Sequence, residues 1–95
     1  MAWRASLSKT VQELRIHLCQ TSPSSKGVRD FVAHRYQELK NQNPQLPILI
    51  RECSGVQPRL FARFDYGKEK AVGLDGLDEA AVESKLEELV KTKPQ

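Results

Sequence analysis

A chain of 95 residues, 39% apolar and 28% charged, has the length of one domain, and its composition is too polar for a membrane span and too apolar for disorder. Two cysteines are too few for a four-cysteine zinc site or an iron–sulfur cluster, and one small core leaves no room for separate cofactor and substrate domains. The net charge of +3 is uneven, with 12 Lys/Arg against 6 Asp/Glu over residues 1–74 and 3 against 6 over residues 75–95, yet the basic residues never form a run of the kind that tracks a nucleic acid.

The segment Met1–Gln12 carries Arg4 and Lys9, the hydroxyl residues Ser6, Ser8 and Thr10, and no acid. That leans toward a mitochondrial transit segment and lacks the apolar stretch of a secretory signal. Structure is expected to begin by Glu13, so that 1–12 is an extension, 13–92 the domain and 93–95 a tail. In Glu13–Cys19, Leu14, Ile16 and Leu18 alternate with Arg15, His17 and Cys19, which predicts a half-buried strand. Cap and turn residues fill Gln20–Ser25. Ser22 as N-cap with Pro23 behind it, or else Ser24 or Ser25, opens a helix running to about Asn41. Its apolar stripe is Val28, Phe31, Val32, Tyr36 and Leu39, and Asn43-Pro44 stops it.

Leu46–Glu52 is a short β-branched strand, and Arg59–Asp65 alternates again. Tyr66-Gly67-Lys68 turns the chain into a short return strand, Glu69–Gly73. After Asp75-Gly76, Asp78 caps a last helix with Val82, Leu86, Leu89 and Val90 on its buried stripe. The order β-α-β-β-β-α gives an α/β class, and the opening βαβ unit makes the first two strands parallel. Both helices can cover the face of Leu14, Ile16, Leu18, Leu60, Ala62 and Phe64. The opposite face then carries Arg15, His17, Leu49, Arg51, Arg59, Phe61 and Arg63. Arginine and aromatic side chains favour a docked partner on that face, and a solvated sheet with snorkelling arginines is the alternative. Arg51, Arg59, Phe61 and Arg63 are the candidate contacts, with Trp3 a further anchor from the N-terminal segment.

Cys19 ends the first strand and Cys53 the second, so both thiols lie at one carboxyl edge, within reach of a disulfide if the strands are neighbours. Closing that loop would stabilise the fold by roughly 3–4 kcal/mol. Two separate thiols acting as small hydrophobes is the other outcome. Catalytic redox chemistry is disfavoured, because Ser22 occupies the resolving position of a C-x-x-C and Cys19 falls short of the helix N-terminus. His17 and His34 have no metal-like spacing. Ser22, His17 and Asp30 would make a nucleophile set on paper, but capping and surface roles explain each of them. No Gly-rich phosphate loop is present, and Gln57–Pro58 is trans by default.

The strings Leu14-Arg15-Ile16-His17-Leu18-Cys19, Ser22-Pro23, Gly27-Val28-Arg29-Asp30-Phe31, Pro47-Ile48-Leu49-Ile50-Arg51-Glu52-Cys53-Ser54, Gln57-Pro58 and Ala62-Arg63 closely resemble one family. It is the small thioredoxin-like accessory subunits of mitochondrial respiratory complex I, of the alpha-subcomplex subunit two kind. The opening Met1-Ala2-Trp3-Arg4 looks like plant or algal members. The resemblance implies a thioredoxin-like four-stranded mixed sheet in order 2-1-3-4 with βαβ-ββα topology and two main helices. It also implies a non-catalytic subunit without cofactor or metal, peripheral on the matrix side of the mitochondrial inner membrane and packed on the large iron–sulfur subunit of the peripheral arm. The family's cysteines map onto Cys19 and Cys53, where a disulfide forms in some members. A thiol-disulfide redox-sensing module is an alternative. So is a related mitochondrial ribosomal protein, although the acidic last helix suits RNA poorly.

Overall fold

The computed structural model describes residues 7–91. Strands β1 (Glu13–Leu18), β2 (Ile48–Glu52), β3 (Arg59–Arg63) and β4 (Glu69–Gly73) form one mixed sheet in the order β2-β1-β3-β4. β1 lies parallel to β2, with Ile16 opposite Ile50, and antiparallel to β3, with Ile16 opposite Leu60; β3 and β4 are antiparallel. This is the order expected, and the connections between the strands suit it. The β1–β2 connection holds a long helix, as a parallel pair requires, while β3 and β4 are joined by a tight turn.

That long helix, α2 (Lys26–Gln42), follows a 3-10 turn over Pro23–Ser25. Ser22 Oγ accepts the Ser24 N–H at 3.3 Å, so Ser22 caps the turn as its residue type predicts. Asn43 ends the helix from a buried position: its N–H donates to the Leu39 and Lys40 carbonyls, and its Nδ2 donates to Leu39 as well. The last helix, α3 (Glu79–Lys91), is capped by Asp78, whose Oδ1 accepts the Ala81 N–H at 2.8 Å. Val28, Phe31 and Leu39 of α2 join Val82, Leu86, Leu89 and Val90 of α3 in one core with Leu14, Ile16, Leu18, Ile48, Leu60 and Ala62 of the sheet. Both helices therefore cover the same face, and the other face is left bare. Outside the core, Arg35 of α2 bridges Glu79 (2.8 Å) and Glu83 (2.9 Å) of α3, and His34 meets Glu79 at 2.6 Å. These contacts hold the Glu79 carboxyl below its usual range, His34 first and Arg35 second.

One local feature differs from expectation. The helical turn α1 (Leu7–Thr10) stands ahead of Glu13, and Leu7 and Val11 are each only 1% exposed. The β3–β4 hairpin turns through Tyr66 (φ 63°) and Gly67 (φ 73°), both left-handed, with the Phe64 N–H donating to the Lys68 carbonyl at 2.6 Å. A left-handed pair at the tip is the type I′ geometry, for which Asn-Gly is the favoured sequence. Tyr66 is 98% exposed, so its ring gains nothing in exchange for the unfavourable φ. Tyr66→Asn is expected to stabilise the domain by about 1 kcal/mol, read as a higher urea midpoint at unchanged slope. No helix among the described residues is long and apolar enough to cross a membrane.

Candidate functional site

Alternation along each strand sends every second side chain to the bare face. Arg15 stands opposite Leu49 on one side and Phe61 on the other, and His17 stands opposite Arg51 and Arg59. The Arg15 guanidinium lies 5.0 Å from the Phe61 ring centroid, and the His17 ring lies 4.8 Å from it at 49°. Burial pushes the His17 imidazole below its ordinary value, and Arg15, Arg51 and Arg59 push it further. At the Glu13 end the charges are matched. Arg15 pairs with Glu69 (2.6 Å) and Glu13 (3.4 Å), and Arg63 lies 3.7 Å from Glu13. The structure thus brings Arg51, Arg59, Phe61 and Arg63 onto one face, whereas Trp3 falls outside the described residues.

The cysteines share an edge but not an environment. Cys53 N–H continues the parallel ladder to the Leu18 carbonyl at 3.0 Å, and its side chain is exposed. Cys19 is 3% exposed. Its N–H donates to the buried Ser25 Oγ at 3.0 Å, and Arg29 Nη1 donates to its carbonyl (2.9 Å) and to that of Ser22 (2.8 Å). The thiol itself accepts the Gly55 N–H at 3.4 Å and lies 3.8 Å from Thr21 Oγ1. Both thiols are free, so the expected disulfide is not formed. The loop after β2 folds Gly55 over Cys19, which occupies that sulfur with backbone N–H groups while Cys53 faces solvent.

Those donors change the chemistry of Cys19. The Thr21 backbone N–H, then those of Gly55 and Ser22, and last the Thr21 hydroxyl favour the thiolate, outweigh burial, and lower the thiol from 9.0 to about 7. The sign for stability follows directly. The unfolded chain restores the higher value, so folding gains from the thiolate above pH 9 and loses that gain as pH falls through 7. The stability difference between wild type and Cys19→Ser is expected to widen from pH 6.5 to 9 in urea titrations. A difference independent of pH would show that the N–H groups do not hold the charge. Thr21, Arg29 and Gly55 escaped the sequence because each is an ordinary loop or helix residue, while Ser25 stood out only as a candidate cap.

The paper triad does not assemble. Ser22 is engaged in its cap, Asp30 pairs with Lys26 at 2.9 Å, and His17 rests on Phe61. Among the described residues, no group of three or more His, Cys, Asp or Glu is placed to hold a metal ion. The Gln57–Pro58 bond is trans.

Comparison with known proteins agrees with the resemblance. A family model described as the mitochondrial ribosomal protein L51 / S25 / CI-B8 domain matches residues 28–79. An Arabidopsis thaliana protein named NADH dehydrogenase (ubiquinone) 1 alpha subcomplex subunit 2 is 59% identical over 92 residues, which is 97% of this chain and 95% of that one. The mouse protein of the same name is 52% identical over 87% of this chain and 84% of its own length. A Neurospora crassa NADH-ubiquinone oxidoreductase 10.5 kDa subunit is 41% identical over 96% and 97%. With identity of this extent carried along almost the whole fold, the chain belongs to the L51/S25/CI-B8 domain family and, within it, to the alpha subcomplex subunit 2 proteins of NADH dehydrogenase (ubiquinone).

Proposed function

We propose that the chain is a non-catalytic accessory subunit of mitochondrial complex I, peripheral on the matrix side of the inner membrane. There it supports assembly or stability of the peripheral arm by packing on the large iron–sulfur subunit. The observation that carries this is the 59% identity with a plant alpha subcomplex subunit 2 over 97% of the chain. The fold supports it as well. A sheet in the order β2-β1-β3-β4 with two helices on one side supports a minimal thioredoxin-like reading, in which Ser22 takes the resolving-cysteine position and serves as a cap. The bare face supplies docking surface through Arg51, Arg59, Phe61 and Arg63. The depressed thiol of Cys19 favours a redox-sensing role as a lesser reading.

A second reading comes from the family model, whose description includes mitochondrial ribosomal proteins. Gradient sedimentation of detergent-solubilised mitochondria separates the two. The chain is expected in the complex I fractions, in step with NADH dehydrogenase activity. Sedimentation with the mitochondrial ribosome would replace the complex I assignment.

A further inference from the structure

The four arginines of the bare face fall into two classes. Arg15 and Arg63 face carboxylates of their own sheet, Glu13 and Glu69. Arg51 and Arg59 are exposed and, among the described residues, have no carboxylate partner. Both are register partners of His17, one on β2 and one on β3. With strands about 4.8 Å apart, the row Arg51–His17–Arg59 places the two arginine Cα atoms roughly 10 Å apart, with His17 between them. Beside the row, His17, Val56, Gln57, Arg59 and Phe61 line an open depression of about 430 Å³.

From this arrangement, and resting on the complex I assignment above, we infer that the Arg51–His17–Arg59 row is the seat for an acidic segment of a neighbouring complex I subunit. Aspartate or glutamate side chains of that segment engage the two guanidiniums, and an apolar side chain enters the depression against Phe61. Charge complementarity fixes the sign of the partner. Guanidinium forks bind carboxylates in two-point geometry, and two like charges held apart without counterions are relieved only by an anionic visitor. The imidazole between them contributes a further hydrogen-bonding group. RNA phosphate fits the arrangement less well. The unpaired charges end at two, Glu52 follows on β2, and the Glu13/Glu69 end of the face is already neutral, so no basic track continues along which a backbone would run. Arg15 is occupied within the sheet by Glu13 and Glu69, and Arg63 stands beside Glu13.

The test uses the full chain, expressed in mitochondria that lack their own copy, with incorporation read by native electrophoresis of complex I. Arg51→Gln/Arg59→Gln is compared with Lys26→Gln/Lys68→Gln, which removes the same amount of charge from exposed positions on α2 and at the hairpin tip. Thermal unfolding of each purified variant checks that it folds. The first pair is expected to lose incorporation by roughly tenfold or more with an unchanged melting temperature, because desolvated charge pairs govern dissociation. The second pair is expected to incorporate as wild type does. Equal incorporation of both pairs, or equal loss, overturns the inference. So does a wild-type chain that binds mitochondrial RNA through Arg51 and Arg59 while the first pair still enters complex I. A wild-type chain that never joins complex I overturns the assignment itself, and the inference with it.

Discussion

Gly27→Ala is expected to destabilise the domain by about 3 kcal/mol, the largest effect of a methyl addition at any of its glycines. Gly27 lies in the first turn of α2, where alanine would ordinarily gain about 1 kcal/mol in helix propensity. Here a methyl group has no space. An ideal Cβ would sit 1.8 Å from the Leu77 carbonyl oxygen, 2.7 Å from its carbon and 2.8 Å from the Asp78 carbonyl carbon. Every one of these atoms is backbone, so no side-chain rotation relieves the clash.

The neighbouring strand of chain is also tied down. Gly76 N–H donates to the Ser24 carbonyl at 3.0 Å, Leu77 N–H to Leu74 at 3.2 Å, and Val82 N–H to Asp78 at 2.9 Å. Making room means opening the junction where the two helices begin. A loss of 3 kcal/mol is a large share of the roughly 5–15 kcal/mol that holds a small domain folded, and it lowers the melting temperature by more than about 10 °C. Gly55→Ala is the control. Its φ of +77° makes alanine costly by about 1 kcal/mol, but nothing lies within 4 Å of the added methyl. A Gly27→Ala variant no less stable than Gly55→Ala in urea titration would mean that the two helix starts separate at little cost.

Gly27 also shows where a sequence ceases to be legible. Strands and helices were readable because their signals are periodic. Leu14, Ile16 and Leu18 alternate, Val28, Phe31 and Leu39 fall on one stripe, and the structure buries all six. Capping was readable because Ser22 and Asp78 are specialised residue types. Gly27, by contrast, reads in one dimension only as a weak helix residue. Its purpose depends on Leu77, which the chain reaches after three strands. The arginines make the same point. Arg51, Arg59 and Arg63 are equivalent by alternation, and only the register that brings Glu13 and Glu69 to Arg15 and Arg63 separates paired charge from unpaired. The cysteines were placed correctly at the ends of adjacent strands. What pattern could not supply was the loop that lays the Gly55 N–H on Cys19 and leaves Cys53 in solvent.

Leu7→Ala is expected to cost about 2–4 kcal/mol, which places the start of the folded unit at α1 rather than at Glu13. A single helical turn of four residues cannot hold itself together in water, so what keeps it in place is its packing. Leu7 and Val11 are buried to 1% exposure, and the Val11 N–H closes the turn onto the Leu7 carbonyl at 3.0 Å. The following residue locks the segment to the sheet. Gln12 N–H donates to the Arg63 carbonyl at 2.7 Å, and Gln12 Nε2 donates to Asp65 Oδ1 at 2.6 Å. The sequence hid this because Leu7 and Val11 stand amid Ser, Lys and Thr, with too few residues for a period to show. The consequence bears on import. A transit-like segment cut just before Glu13 would remove both core side chains and the Gln12 bridge, and the remaining chain is expected to unfold more readily than Leu7→Ala does. Urea titration of the full chain, of Leu7→Ala and of a chain beginning at Glu13 measures this order directly. If Leu7→Ala shifts stability by less than about 0.5 kcal/mol, the range of an ordinary surface change, the segment is an appendage and a cut there is harmless. If the expected order holds, any import signal in these residues stays on the mature subunit at least from Leu7, because the fold needs it.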